Sequence, residues 1–183
     1  MRLFVAIDLP DDASDRLATL QAGVPGVKWV PDENLHLTLR FIGEVEGATA
    51  EELAEALAEV RAPAFELSLS GVDVFERGRQ PHTLWVGVDR NPALQHLREK
   101  VESALVRAGL ESERRRFSPH VTLGRMKQRP GHHLVQWLEA NALFRAEPFT
   151  VGGFTLFTSH LGSESARYFG EAFYPLEGAP AYF

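Results

Sequence analysis

Two stretches of this 183-residue chain repeat one pattern, and that repeat limits the fold more than any single element does. Leu3-Phe4-Val5-Ala6-Ile7-Asp8 lines up with Leu84-Trp85-Val86-Gly87-Val88-Asp89. Each is followed by a segment of helical periodicity, then by polar residues, then by a strand opening His-x-Thr-Leu: His36-Leu37-Thr38-Leu39 and His120-Val121-Thr122-Leu123. Self-similarity on this scale predicts two related β-α-β units, and hence two lobes about a pseudo-twofold axis. Residues 1–183 are accordingly expected to form one domain of two duplicated lobes, with motif one at 36–39 and motif two at 120–123.

The remaining elements follow from periodicity. Ala13, Leu17 and Leu20 mark a helix over 11–21; Leu53, Ala56, Leu57 and Val60 mark one over 48–60. Leu94, Leu97, Val101 and Leu105 mark a third over 92–108, stopped by Gly109, and a short fourth is expected over 132–141. Strands are expected over 3–9, 27–30, 35–42, 65–75, 83–88, 120–123, 149–158 and 166–174. Because strands and helices alternate only partly, the class reads as α+β rather than doubly wound.

Composition excludes several kinds of protein. No apolar run approaches the roughly 18 residues that cross a bilayer, so no membrane is expected as a partner. The opening apolar stretch is short and carries Asp8, which suits a buried strand better than a signal peptide. The chain has no cysteine, which rules out disulfides, thiolate metal sites and cysteine nucleophiles and fits a reducing cytoplasm, the expected location. A net charge of -6 denies the protein a general basic field for long nucleic acid. Residues 114 to 129 nevertheless hold Arg114, Arg115, Arg116, Arg125, Lys127 and Arg129 with no acid among them. Such a stretch suits a compact anion such as a terminal phosphate, or is simply a solvated charged loop.

The chemistry lies in the two tetrapeptides. Side chains alternate faces along a strand, so His36 and Thr38 project together while Leu37 and Leu39 project behind. His120 and Thr122 do the same. If the lobes face each other, two imidazoles and two hydroxyls converge in one cleft. That set suits in-line cleavage of a phosphodiester: a neutral imidazole takes a proton from water and a protonated one gives a proton to the leaving oxygen. Threonine hydroxyls can donate to the phosphoryl oxygens where charge builds. The scheme needs no metal and no cofactor. The adjacent His132 and His133, with His82, His96 and His160, show no ligand spacing.

Other residues carry two readings each. Arg125 faces away from His120 by simple alternation, unless a kink at Gly124 turns it toward the cleft. Arg40 shares the parity of His36 and Thr38, so it either borders the site or is a solvated edge residue. Phe41 either stacks on a base or packs in the core. Trp29 and Trp85 are expected in the core, and Asp8 and Asp89 as caps of the helices that follow them.

With RLFVAIDLP, NLHLTLRFIGEV, FSPHVTLGR and FTLFTSHL followed by Arg167-Tyr168, the sequence resembles the 2H phosphoesterases over nearly its whole length. It is most similar to their bacterial and archaeal RNA 2',3'-cyclic phosphodiesterases, once called 2'-5' RNA ligases. The resemblance implies a bilobal α+β fold, with antiparallel-type sheets and outer helices around a central cleft. It implies His36 as proton donor and His120 as proton acceptor, with Thr38 and Thr122 beside them and Arg125, Arg40 and Phe41 as substrate-binding candidates. The implied reaction opens a 2',3'-cyclic phosphate on an RNA end, such as a tRNA fragment, to a 2'-phosphomonoester, with reversible 2'-5' ligation as a side activity. A monomer is expected. The competing readings are a relative acting on another cyclic phosphate or a 2'-5' oligonucleotide, and an RNA-end binding module.

Overall fold

The computed structural model describes residues 1–180. The first half-sheet contains β1 (Arg2–Asp8), β3 (His36–Glu44), β9 (Gly153–His160) and β10 (Arg167–Pro175). The second contains β5 (Leu69–Arg77), β6 (Gln80–Val88) and β7 (His120–Arg125), with the two-residue β2 (Lys28–Trp29) laid against β7. All pairs are antiparallel, in the order β10-β9-β1-β3-β7-β6-β5. The halves meet at a narrow seam where Leu37 of β3 opposes Val121 of β7. The two half-sheets are thus joined by the very strands that carry the His-x-Thr pairs. A separate ribbon pairs β4 (Phe65–Leu67) with β8 (Phe149–Val151).

Helices cover one face of this sheet. They are α1 (Asp11–Ala18), α2 (Gly47–Ala58), α3 (Pro92–Arg107) and α4 (His132–Ala140). The apolar stripe of α3, Leu94, Leu97, Val101, Ala104 and Leu105, is buried against α2 and β3. Leu37, Leu39, Val121 and Leu123 from the motif strands join the same core, as alternation requires. The opposite face of the sheet is left free for the histidines.

Asn91, not Asp89, caps α3, its side chain accepting from the Leu94 amide ahead of Pro92 at the first turn. Asp89 is held instead by Ser70 and Arg145. At α1 the capping position is Pro10, and Asp8 accepts from the Thr155 hydroxyl at 3.1 Å. Trp29 is half-buried and packs against the core, whereas Trp85, also half-buried, lies on the free face near His120.

Strand pairing refines the repeat. Ala6 opposes Thr38 and Val5 opposes Arg40, so Leu39 is an extra residue, a β-bulge. Trp85 opposes Thr122 and Leu84 opposes Gly124, so Leu123 is the extra residue of an equivalent bulge. By this register Ala6 corresponds to Trp85, not to Gly87. The echo between β1 and β6 is therefore offset by two residues, a shift that leaves every side chain on its expected face.

Candidate active site

Because Leu37 and Val121 are partners on antiparallel strands, His36 lies across the seam from Thr122 and Thr38 across from His120. Facing residues on such strands hold their Cβ atoms about 4.5–5.5 Å apart, so all four side chains share one small floor. They line a cleft of about 660 Å³.

Both imidazoles are oriented by the same device. His36 Nδ1–H donates to the Asn34 carbonyl at 2.6 Å, and His120 Nδ1–H donates to the Ser118 carbonyl at 2.7 Å. In each case the acceptor lies two residues upstream, and the Nε2 atom is left for other partners. Neutral His36 accepts at Nε2 from the Thr38 hydroxyl, 2.9 Å away. Asn34 is buried, and its side chain donates to the Ala166 carbonyl at 2.8 Å, which ties the loop between β9 and β10 to the segment leading into this histidine. Tyr168 meets the His36 ring edge-on at 5.3 Å, and Phe75 meets His120 edge-on at 4.7 Å.

Burial pushes the His36 pKa from 6.5 to about 4, assisted by the Arg125 and His120 charges and opposed by the Asn34 carbonyl. Burial also lowers His120, again with help from Arg125 and against the Ser118 carbonyl. The charges of the two imidazoliums also disfavour one another.

The twin bulges decide where the next residues go. The extra Leu39 turns Arg40 to the helix side, where it is buried at 8% exposure. There Nε donates to Glu102 at 2.6 Å, and the guanidinium also binds the carbonyls of Phe41 and Glu111. Arg40 does not line the cleft; strict alternation misplaces it because the bulge reverses parity. Phe41 takes the cleft side instead, 57% exposed. In the second half the bulge at Leu123 places Gly124 on the packed side. A Cβ at 124 would lie 2.5 Å from Val27 Cγ1 and 2.8 Å from Trp29 Cε3, so only glycine fits. Arg125 then faces the cleft, and no carboxylate pairs with it among the described residues.

Arg2, Arg115 and Arg125 line the cleft, and no Asp or Glu lies among its described lining residues. On a chain of net charge -6 this is a local reversal of sign. Arg115 is partly neutralised by Glu113 at 3.1 Å. Phe4, Phe75 and Tyr168 also line the cleft. Sequence reasoning did not place Phe4 or Phe75 there, because only the bulged registers of β3 and β7 show which residues surround the floor. Among the described residues, no group of three or more His, Cys, Asp or Glu side chains could hold a metal ion. No helix among them is long and apolar enough to cross a membrane.

Comparison with known proteins points the same way. The family described as the 2'-5' RNA ligase superfamily matches residues 9–162, a span holding both motifs. The RNA 2',3'-cyclic phosphodiesterase of Thermotoga maritima is 38% identical over 71% of this chain and 72% of its own length. That of Aeropyrum pernix is 44% identical over 61% of this chain and 66% of its own. The structure of Escherichia coli LigT complexed with 3'-AMP superposes with a TM-score of 0.79 at 30% identity, covering 96% of this chain and 98% of that one. With both His-x-Thr strands inside the matched span and the whole fold shared, this chain belongs to the 2'-5' RNA ligase superfamily of 2H phosphoesterases.

Proposed function

We propose that this protein hydrolyses the 2',3'-cyclic phosphate at an RNA end, the activity its relatives are named for, and that the product is a 2'-phosphomonoester. The observation that carries this reading is the acid-free cleft of an acidic protein, with two imidazoles and two hydroxyls on its floor. His120, neutral and with Nε2 free, takes a proton from a water molecule as its oxygen attacks phosphorus. The bond from phosphorus to the 3' oxygen breaks, and protonated His36 gives its Nε2 proton to that oxygen. Protonation of His36 ends its acceptance from Thr38, whose hydroxyl then joins that of Thr122 in donating to the phosphoryl oxygens. Arg125 neutralises the phosphoryl charge and Phe41 offers a face for a base. A 5'-hydroxyl of another strand in place of water gives 2'-5' ligation by the same displacement.

The donor role of His36 and the acceptor role of His120 rest on family resemblance, and the burial of His36 sets a condition on them. Burial holds His36 at about 4, so the charge of the phosphate must raise it before it can act as the acid. We read residues 1–183 as one domain made from a duplicated unit, supported by the matching bulges in β3 and β7. We also infer a cytoplasmic monomer acting on RNA fragments such as cleaved tRNA; the cysteine-free sequence supports the location, and a cleft with no acid among its described lining residues supports an RNA end as substrate. The test is incubation with an oligonucleotide ending in 2',3'-cyclic phosphate, followed by phosphorus NMR. A 2'-phosphomonoester is expected; binding without turnover would make the protein an RNA-end binding module.

A further inference from the structure

We propose that Glu102, a residue of α3 behind the catalytic sheet, is a positioning residue: its two carboxylate oxygens hold the strand of the first histidine and the segment leading to the second in one fixed relation. The reaction it serves is the cyclic-phosphate hydrolysis proposed above, and the inference rests on that reading. One oxygen accepts from Arg40 Nε at 2.6 Å, and Arg40 stands on β3 four residues after His36. The other accepts from the Glu113 backbone amide at 2.8 Å, seven residues before His120. Glu102 is 15% exposed and is not among the described lining residues of the cleft, so it acts only through what it holds.

The two halves support their histidines differently. The carbonyl that holds His36 Nδ1 belongs to Asn34, which closes a 3-10 turn over Asp32–Asn34 and is tied in turn to Ala166. The carbonyl that holds His120 Nδ1 belongs to Ser118, near the end of a run without helix or strand from Leu110 to Pro119. Among the described residues, positions 111–117 make no backbone-to-backbone hydrogen bond, and most of them are exposed. Such a run keeps one path only if side chains from elsewhere anchor it. Arg40 donates to the Glu111 carbonyl, Glu102 accepts from the Glu113 amide, and the Arg98 guanidinium lies over the Phe117 ring at 5.4 Å. Arg40 and Arg98 both meet the Glu102 carboxylate, Arg98 at 3.8 Å from one turn earlier on α3. Glu102 is thus the common point of all three anchors. Burial works against its charge, but the Arg40 bond, the Glu113 amide and Arg98 together lower its pKa below the usual carboxylate range. Through this point the Ser118 carbonyl is kept at His120 Nδ1, and His120 Nε2 is kept bare for the attacking water.

The test replaces the pair as a unit, Arg40→Met/Glu102→Met, so that neither charge is left buried alone. Turnover of an oligonucleotide ending in 2',3'-cyclic phosphate is measured beside the nitrogen-15 shifts of the imidazoles at about pH 8, where histidine is neutral, with His120→Gln assigning the His120 signals. The wild type should show His120 with its proton on Nδ1 alone. The double variant should show a mixture of both ring tautomers at His120, with kcat lower by roughly ten- to a hundredfold and KM within about twofold of wild type. Wild-type kcat, or an unchanged His120 signal, in the folded double variant overturns the proposal. If the double variant does not fold, Glu102→Gln takes its place. Its amide oxygen can serve Arg40 or the Glu113 amide but not both, so kcat should fall by about three- to tenfold at constant KM, and a wild-type kcat refutes the proposal. If the wild type leaves cyclic phosphate intact, the hydrolytic reading falls, and the His120 tautomer in the variant alone decides whether Glu102 positions the imidazole.

Discussion

Replacing His36 by glutamine should make the protein less sensitive to mild acid. Burial holds the folded imidazole neutral, with a pKa of about 4 against 6.5 in the unfolded chain. The folded-state value is depressed, so the stabilisation is fully present above pH 6.5 and is lost as pH falls through the window toward 4. At pH 7 only about one molecule in a thousand carries a proton there. Between pH 7 and pH 5 the unfolded histidine takes up a proton that the folded one refuses, which costs about 2 kcal/mol of folding free energy. Urea denaturation of wild type and His36→Gln at both pH values isolates this share, because the other titrating groups are common to both. The wild type should lose about 2 kcal/mol more than the variant over that interval. Equal losses would mean that His36 is not held neutral by its surroundings. A nucleotide monophosphate bound in the cleft should shrink the difference, since its charge stabilises the imidazolium.

Arg125→Met should raise KM or lower kcat/KM by roughly ten- to a hundredfold, the worth of about 1.5–3 kcal/mol for a charged hydrogen bond, with little change in Tm. Arg40→Met should do the converse. It leaves Glu102 without its 2.6 Å partner, so denaturant midpoints should report a loss of about 3–5 kcal/mol, while KM of the folded fraction stays near wild type. A raised KM with unchanged stability would put Arg40 on the substrate after all. Gly124→Ala should cost about 1–3 kcal/mol by overpacking against Val27 and Trp29; an unperturbed midpoint would deny the tight contact behind the bulge.

Much of the fold can be read from periodicity. The stripe from Leu94 to Leu105 and the alternation in the two motifs depend on residues close in the chain, and the structure buries the same faces. What alternation cannot show is a change of parity. The bulge in β7 leaves a trace, because Gly124 is the residue its packing demands. The matching bulge in β3 leaves none, because an arginine stands at that place. Arg40 fits there only through Glu102 and the Glu111 carbonyl, both distant in sequence. The candidate site divides along the same line. His36, Thr38, His120 and Thr122 precede the bulges and reach the cleft by simple alternation, whereas Arg40, Phe41 and Arg125 follow them. Phe75 and Tyr168 meet the imidazoles from outer strands, and no local pattern announces them.

The most direct test of two-histidine catalysis is the turnover of an RNA 2',3'-cyclic phosphate end by wild type, His36→Ala, His120→Ala and the double variant, measured without added metal. Each single variant should lose roughly a hundred- to ten-thousand-fold in rate. The double variant should be little worse than either single one, since one transition state needs both proton transfers together. Activity that survives loss of either imidazole, or two losses that simply multiply, would contradict an acid/base pair acting across the β3–β7 seam.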